Sequence, residues 1–208
     1  IFGLGSIAGI EIDLRAMFTD GAGAVFATEK SPKRLAYTAY SVLEEQPASD
    51  NISYYLQFPS GLKKTGKLAG EITKNLKTDI EKASKIENYL KTNYKYSLKT
   101  SPPAAGINPI ENFLFNSKAG YCEHYATAMA LMLRHAGIPS RIVTGFAGGE
   151  KNKYGGYIIV RQSDAHSWVE AVIDGRWKRL DPTPPAPQFK VPSLPSLYID
   201  SLRLKWYR

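Results

Sequence analysis

The chain has 208 residues, 43% of them hydrophobic and 22% charged, which is ordinary for a globular domain with one sizeable core. It contains no run of about 18 uncharged apolar residues, so none of this sequence is predicted to span a bilayer. A single cysteine excludes an intramolecular disulfide and, with only three histidines, argues against a structural zinc site.

The net charge of +8 is concentrated between Lys63 and Lys99, where ten lysines accompany four acidic residues. Lysines at helical spacing favour the solvent-exposed faces of helices, and attraction to an anionic surface is the alternative. No recognised nucleic-acid motif surrounds these lysines, so we predict no nucleic-acid partner.

The sequence divides into three zones. Residues 1–60 contain short alternating runs, of which 10–14 and 53–58 are predicted strands, so this zone is expected to be a β-rich subregion. Residues 61–185 form the predicted core, and 186–208 form a proline-rich tail. The aromatic and basic end of the tail suits a membrane interface before a further span, or else a partly ordered C-terminus. Because the chain begins without Met or a leader, we interpret it as a piece of a longer protein.

The first part of the core is predicted to be helical. Apolar residues recur at four-residue spacing from Leu68 to Leu76. Thr78 and Glu81 then form a capping box, which predicts the start of a second helix. An extended segment follows that helix, and Asn108-Pro109 has the residue order of another helix start.

The next predicted helix begins at the cysteine. Its apolar residues fall at i, i+3, i+4, i+7, i+8 and i+11, which is one helical face: Cys122, Tyr125, Ala126, Met129, Ala130 and Leu133. Gly137 and Pro139 mark its end. At a helix N-terminus, unpaired N–H groups and the helix dipole favour a thiolate. A lone cysteine is otherwise most often a small core residue, so its chemistry depends on its neighbours.

A hairpin is predicted around Asp174-Gly175, a strong two-residue turn signal between alternating strands. In that register Glu170 faces Arg179 and is expected to pair with it. His166 and Asp181 then share one face as diagonal neighbours, about 7–8 Å apart at the backbone. A one-residue slip would move Asp181 to the opposite face.

These predictions bring together a thiol at a helix tip, an imidazole on a strand and a carboxylate able to orient the imidazole. Thiol acyl transfer requires this set of groups. In isolation, His166 could equally be a hydrogen-bonded strand histidine, and Asp181 a turn-starting residue. Their occurrence together with Cys122, in this order, favours the catalytic interpretation.

Four segments together resemble the transglutaminase-like superfamily, and most closely the bacterial membrane-anchored transglutaminase-like proteins of the TgpA type. They are Gly120-Tyr121-Cys122-Glu123-His124-Tyr125-Ala126, residues 133–146, Asp164-Ala165-His166-Ser167-Trp168-Val169-Glu170 and Asp181-Pro182-Thr183. The resemblance implies Cys122 as nucleophile, His166 as base and Asp181 as orienting acid. It also implies an α+β papain-like fold, with the nucleophile helix packed on an antiparallel sheet.

Three further residues are expected near this site. Tyr121 and Trp168 are candidates for the substrate pocket. His124 lies on a different helical face from Cys122, so we expect it to support the site and not to act as the direct base. The chemistry requires no metal and no organic cofactor.

The expected reaction is acyl transfer through a thioester on Cys122, from a glutamine side chain of a protein or peptide to an amine or water. A cysteine protease with the same triad and a non-catalytic scaffold that binds the cell envelope are the alternatives. The resemblance further implies an extracytoplasmic domain of a bacterial membrane protein. An anionic component of the cell envelope is a possible additional partner.

Overall fold

A computed structural model of the chain forms two compact units, residues 1–47 and 48–208. The residues that it describes are 6–12, 17–19, 25–27, 37–42, 47–48, 51–100, 102–152 and 157–185. No helix within these ranges is long and apolar enough to cross a membrane. The predicted tail, 186–208, lies outside the described residues, and the predicted zone boundary at residue 60 stays a prediction.

The described residues of the first unit are mostly in strands. Strand β1 (Ser6–Ile12) pairs antiparallel with β4 (Tyr37–Val42), and β2 (Met17–Thr19) pairs with β3 (Val25–Ala27). The strand predicted over 10–14 corresponds to the end of β1, and its last two positions lie outside the described residues.

The strand predicted over 53–58 is wrong. Ile52–Leu56 form a short 3-10 helix, and the Tyr55 ring packs edge-on against Trp177, with ring centroids 4.9 Å apart. Alternation over six residues is a weak signal, and here burial of an aromatic ring against a distant tryptophan replaces strand pairing.

The predicted core, residues 61–185, begins with two helices. Helix α1 spans Lys63–Thr73, so it ends before the predicted apolar position Leu76. Helix α2 spans Asp79–Asn93 and begins with the predicted capping box. The Glu81 N–H donates to Thr78 Oγ1 at 3.3 Å, and the Thr78 N–H donates to Glu81 Oε2 at 3.0 Å. These bonds satisfy two donors that a helix start leaves unpaired.

The segment before the cysteine contains a short parallel ladder, in which β5 (Lys95–Tyr96) pairs with β6 (Ala119–Gly120). Between these strands lies α3 (Pro109–Glu111), which continues as a π-helical turn over Asn112–Ser117. The predicted cap is confirmed, because Asn108 Oδ1 accepts the N–H of Ile110 at 2.8 Å.

The predicted cysteine helix is confirmed as α4, Cys122–His135. It packs against α1 and α2 on one side and against the main sheet on the other. Consequently Ala128, Leu131 and Met132 are buried together with the predicted apolar face. Packing on two sides explains why burial extends beyond the one apolar face that the spacing predicts.

The main sheet is antiparallel, with strand order β11–β10–β7. These strands are Arg176–Leu180, Ala165–Ile173 and Ser140–Phe146, respectively. The connection from β7 to β10 contains β8 (Glu150–Asn152) paired with β9 (Tyr157–Ile159). A helix packed on an antiparallel sheet confirms the predicted α+β architecture.

Candidate active site

Cys122 is the first residue of α4, and Tyr121 precedes it with an extended backbone (φ −113°, ψ 179°). The cysteine is half-buried and forms no disulfide. The first N–H groups of a helix have no partner within the helix, so the positive end of the helix dipole lies at this thiol.

The predicted hairpin places the histidine and the carboxylate. Asp174 and Gly175 both have positive φ, 53° and 74°. A two-residue hairpin turn of type I′ requires positive φ at both positions. The ladder pairs Glu170 with Arg179 as predicted and ends one residue before Asp181. On the face expected from this register, His166 Nε2 lies 2.7 Å from Asp181 Oδ2.

The strand that carries the histidine changes the acidity of the thiol. Hydrogen bonding to His166 lowers the pKa of Cys122, and donors on Ser167 lower it further, which together outweigh the opposing effect of burial. Because Asp181 occupies Nε2 of the His166 ring, Nδ1 is the nitrogen available to the sulfur.

The imidazole and its carboxylate favour the charged forms of each other. The hydrogen bond to Asp181, followed by the one to Cys122, raises the pKa of His166 to about 9. Burial raises the pKa of Asp181, but hydrogen bonds from His166 and Thr183 outweigh it, so the net shift is downward. These directions favour a thiolate, an imidazolium and a carboxylate near neutral pH.

Asp181 is held by three hydrogen bonds. Its Oδ2 meets His166 and its Oδ1 accepts the Thr183 N–H at 3.1 Å. Its own N–H donates to Glu87 Oε1 at 3.0 Å. The Asp181-Pro182-Thr183 order explains the second bond, because an aspartate often accepts the N–H two residues later in a turn.

His124, the predicted supporting residue, packs against the residues that precede α4. Its Nδ1 accepts the Tyr121 N–H at 3.5 Å, and its ring meets the Tyr121 ring edge-on at 4.4 Å. Burial lowers its pKa, which favours the neutral ring. A Cβ on Gly120 would lie 2.9 Å from His124 Cβ, so glycine allows this close packing.

Trp168, the predicted pocket residue, lies beside the histidine. Its ring stacks on His166 with an interplanar angle of 26° and centroids 6.3 Å apart. The Arg179 guanidinium lies over the same ring, 4.2 Å from its centroid. The predicted ion pair of Glu170 with Arg179 is therefore wrong: Glu170 pairs with Arg141 of β7 at 2.8 Å.

Three residues at this site were not found from the sequence. Hydrogen bonding from Ser167 contributes to the lowered pKa of Cys122, and Glu87 accepts the backbone N–H of Asp181. Burial, followed by the negative charge of Cys122, raises the pKa of Tyr96, which favours the protonated phenol. The position of Ser167 next to His166 was the one local signal that could have indicated its role.

Comparison with known proteins agrees with this geometry. The sequence pattern of the transglutaminase-like superfamily matches residues 66–182. A protein-glutamine gamma-glutamyltransferase from Pseudomonas aeruginosa is 45% identical over 102 residues, which are 49% of this chain and 15% of that protein. The Bacillus subtilis protein YebA is 34% identical over 148 residues, 67% of this chain and 20% of that protein. The chain thus spans a fifth or less of the length of these relatives.

The fold also has known counterparts. The periplasmic domain of TgpA from Pseudomonas aeruginosa superposes with a TM-score of 0.70 at 32% identity, over 83% of this chain and 62% of that chain. A structure described as a putative cysteine protease from Cytophaga hutchinsonii gives 0.52 at 21% identity, over 85% of this chain and 65% of that chain, a likeness of fold alone. The predicted resemblance and the predicted membership of an enzyme family are confirmed.

Proposed function

Because the chain belongs to the transglutaminase-like superfamily, we propose that it carries a transglutaminase active site with Cys122 as nucleophile, His166 as acid and base, and Asp181 as orienting acid. The observation that carries the proposal is the 2.7 Å contact of His166 Nε2 with Asp181 Oδ2 on the strand whose histidine lowers the pKa of the Cys122 thiol. A protein that only binds has no need of an activated thiol.

In the first half-reaction the thiolate of Cys122 attacks the side-chain carbonyl carbon of a glutamine. The carbonyl oxygen becomes an oxyanion as the carbon–sulfur bond forms. The His166 imidazolium then gives its Nδ1 proton to the departing nitrogen, and the carbon–nitrogen bond breaks to release ammonia. A thioester on Cys122 and a neutral His166 remain, so atoms and charges balance.

The oxyanion requires donors that point at it. The Cys122 N–H is one, because it is among the unpaired donors at the start of α4. Tyr96 supplies the second in this proposal. Its phenol is half-buried and has no hydrogen-bond partner among the described residues. Burial and the negative charge of Cys122 raise its pKa. The parallel ladder pairs Tyr96 with Gly120, two residues before the nucleophile.

In the second half-reaction a primary amine attacks the thioester carbon, and His166 takes the proton from the amine nitrogen. The carbon–sulfur bond breaks, which restores the thiolate and the imidazolium and leaves an isopeptide bond. Water in place of the amine would give deamidation. Asp181 favours the imidazolium in both halves through its bond to Nε2.

The proposed setting is the outer side of a bacterial membrane. Two observations support it: the structural counterpart is named as a periplasmic domain, and the matched curated relatives are much longer than this chain. In this proposal residues 61–185 form the catalytic core, 1–60 a β-rich subregion, and 186–208 lead to a membrane segment.

The test is covalent incorporation of a fluorescent primary amine into a glutamine-rich protein such as dimethylated casein. We expect labelling and ammonia release with the unaltered protein and neither with Cys122→Ala. New N-termini without amine incorporation would favour the cysteine protease instead. Neither product, together with a Cys122 thiol that reacts with iodoacetamide no faster than a free thiol of pKa about 8.5, would favour the non-catalytic scaffold.

An anionic envelope component is proposed as an additional partner. Eight of the ten lysines between 63 and 99 are exposed: Lys63, Lys64, Lys67, Lys74, Lys77, Lys85, Lys95 and Lys99. Charged surfaces of one sign attract opposite charge over about 10 Å at 0.1 M salt. We expect binding to anionic lipid vesicles that weakens as salt is added. Salt-independent binding would contradict this proposal.

A further inference from the structure

Glu87 connects helix α2 to the triad. Its Oε1 accepts the backbone N–H of Asp181 at 3.0 Å, a bond between residues 94 positions apart. The same oxygen accepts from Lys91 Nζ at 2.9 Å, one helical turn further along α2. The Glu87 side chain is only 19% exposed, so both bonds are partly shielded from water.

The donor that Glu87 accepts lies where the sheet stops. The last ladder pair is Val169 with Leu180, so the Asp181 N–H is beyond the β10–β11 pairing. Pro182 follows and has no N–H with which to extend the strand. Glu87 therefore provides the bond that fixes the backbone of Asp181 at the point where its carboxylate turns toward His166.

The charge on Glu87 is matched by its neighbour. Hydrogen bonds with an ionised acceptor are shorter and about twice as strong as neutral ones. Lys91 compensates the partly buried negative charge and restricts the Glu87 side chain to the orientation that reaches Asp181. An ion pair that served only its own helix could lie on the solvent side. Lys67 and Glu71 of helix α1 form such a pair at 3.9 Å, with largely exposed side chains.

We propose that Glu87 is a positioning residue for the triad: it holds the Asp181 backbone so that the carboxylate keeps His166 oriented and charged, and Lys91 holds Glu87. This inference rests on the proposed function of Cys122, His166 and Asp181. The alternative is that Glu87 merely fastens α2 to the end of β11 and affects stability alone.

The experiment measures the apparent thiol pKa of Cys122 from the pH dependence of iodoacetamide alkylation, in the full chain, with Glu87→Ala, Glu87→Gln and Glu71→Ala. We expect Glu87→Ala to raise the thiol pKa by about one unit, or about tenfold slower alkylation near pH 6. Glu87→Gln keeps a carbonyl acceptor and should recover most of this loss. Glu71→Ala is the control: it removes an exposed ion pair with the same i,i+4 spacing and should leave the thiol pKa unchanged.

A double-variant comparison separates positioning from fastening. If Glu87 acts through Asp181, then Glu87→Ala should add no further shift in thiol pKa in an Asp181→Asn background. An unchanged thiol pKa in folded Glu87→Ala, or an equal added shift in that background, would overturn the positioning role alone. If Glu87→Ala does not fold, Glu87→Asp, which keeps the charge but is too short to reach, should show the same upward shift.

The alkylation measurement does not depend on any glutamine substrate. A low thiol pKa in the unaltered protein, with no change in the folded Glu87 variants, would leave the proposed function intact and remove Glu87 from it. An ordinary thiol pKa of about 8.5 in the unaltered protein would overturn both.

Discussion

The ring of Trp168 lies so close to Gly145 that a Cβ on the glycine would come within 2.8 Å of Trp168 Cη2. Gly145 is also the cross-strand partner of His166 in the β7–β10 ladder. The absence of a side chain at position 145 therefore lets the indole stack beside the imidazole of His166. This relationship leads to a test of how the position of the indole affects His166.

We predict that Gly145→Ala lowers amine incorporation about tenfold or more, because displacement of the indole disturbs His166, and misplacement by about 1 Å is costly in catalysis. Overpacking should also cost about 1–3 kcal/mol of unfolding free energy. Kinetics and denaturant unfolding measure the two effects.

The second variant in this test is Trp168→Phe, which lacks the ring atoms nearest to position 145. We expect Gly145→Ala combined with Trp168→Phe to be more active than Gly145→Ala alone. A double variant less active than either single variant would show that the loss of activity in Gly145→Ala does not come from a steric clash with Trp168.

The thiol of Cys122 should lose its activation when His166 is removed. The hydrogen bond to His166 is the largest cause of the lowered thiol pKa, and burial acts in the opposite direction. In His166→Ala the apparent thiol pKa should therefore rise to about 8.5 or higher. Iodoacetamide alkylation against pH measures this shift. Equal titration curves for the two proteins would contradict the thiolate–imidazolium pair.

Much of the site could be predicted from local sequence signals. The Asp174-Gly175 turn fixes the hairpin register, and a side-chain period of two then puts His166 and Asp181 on one face. Likewise, the apolar spacing after Cys122 and the left-handed Gly137, with φ 83°, define both ends of α4.

The rest depended on contacts that leave no local pattern. The bond from Asp181 to Glu87 joins two distant elements, and each residue has an ordinary role in its own segment. Glu170 had an oppositely charged neighbour on either side, and the sequence did not reveal that Arg141 of β7 would be the closer one. Tyr96 reaches the site through a two-residue parallel ladder, too short to give a periodic signal.

Tyr96 and Tyr94 make a matched pair for testing the oxyanion proposal. The Tyr94 hydroxyl donates to the Leu114 carbonyl at 3.1 Å, away from the thiol. We predict that Tyr96→Phe lowers kcat about a hundredfold with little change in stability, as loss of one oxyanion donor does. Tyr94→Phe should instead cost about 1 kcal/mol of stability and leave kcat nearly unchanged. The reverse pattern would remove Tyr96 from the mechanism.

The charged pair also makes a prediction about stability against pH, whose sign follows from proton counts. Between about pH 6.5 and 8.5 the unfolded chain binds one proton at these two residues, on Cys122, while His166 is neutral. The folded chain, as a thiolate–imidazolium pair, also binds one proton, on His166. Equal counts mean that these two residues give no slope of unfolding free energy with pH in this window.

Cys122→Ala should introduce a slope. The hydrogen bond to Asp181, the largest cause of the raised pKa of His166, remains in that variant. A raised folded pKa gives stability that is full below about pH 6.5 and is lost as pH rises through the folded pKa. Relative to the unaltered protein, Cys122→Ala should lose up to about 1.4 kcal/mol per pH unit above pH 6.5. Denaturant unfolding at half-unit steps from pH 6 to 8.5 measures the difference. Parallel curves for the two proteins would mean that His166 is not held as imidazolium by Asp181.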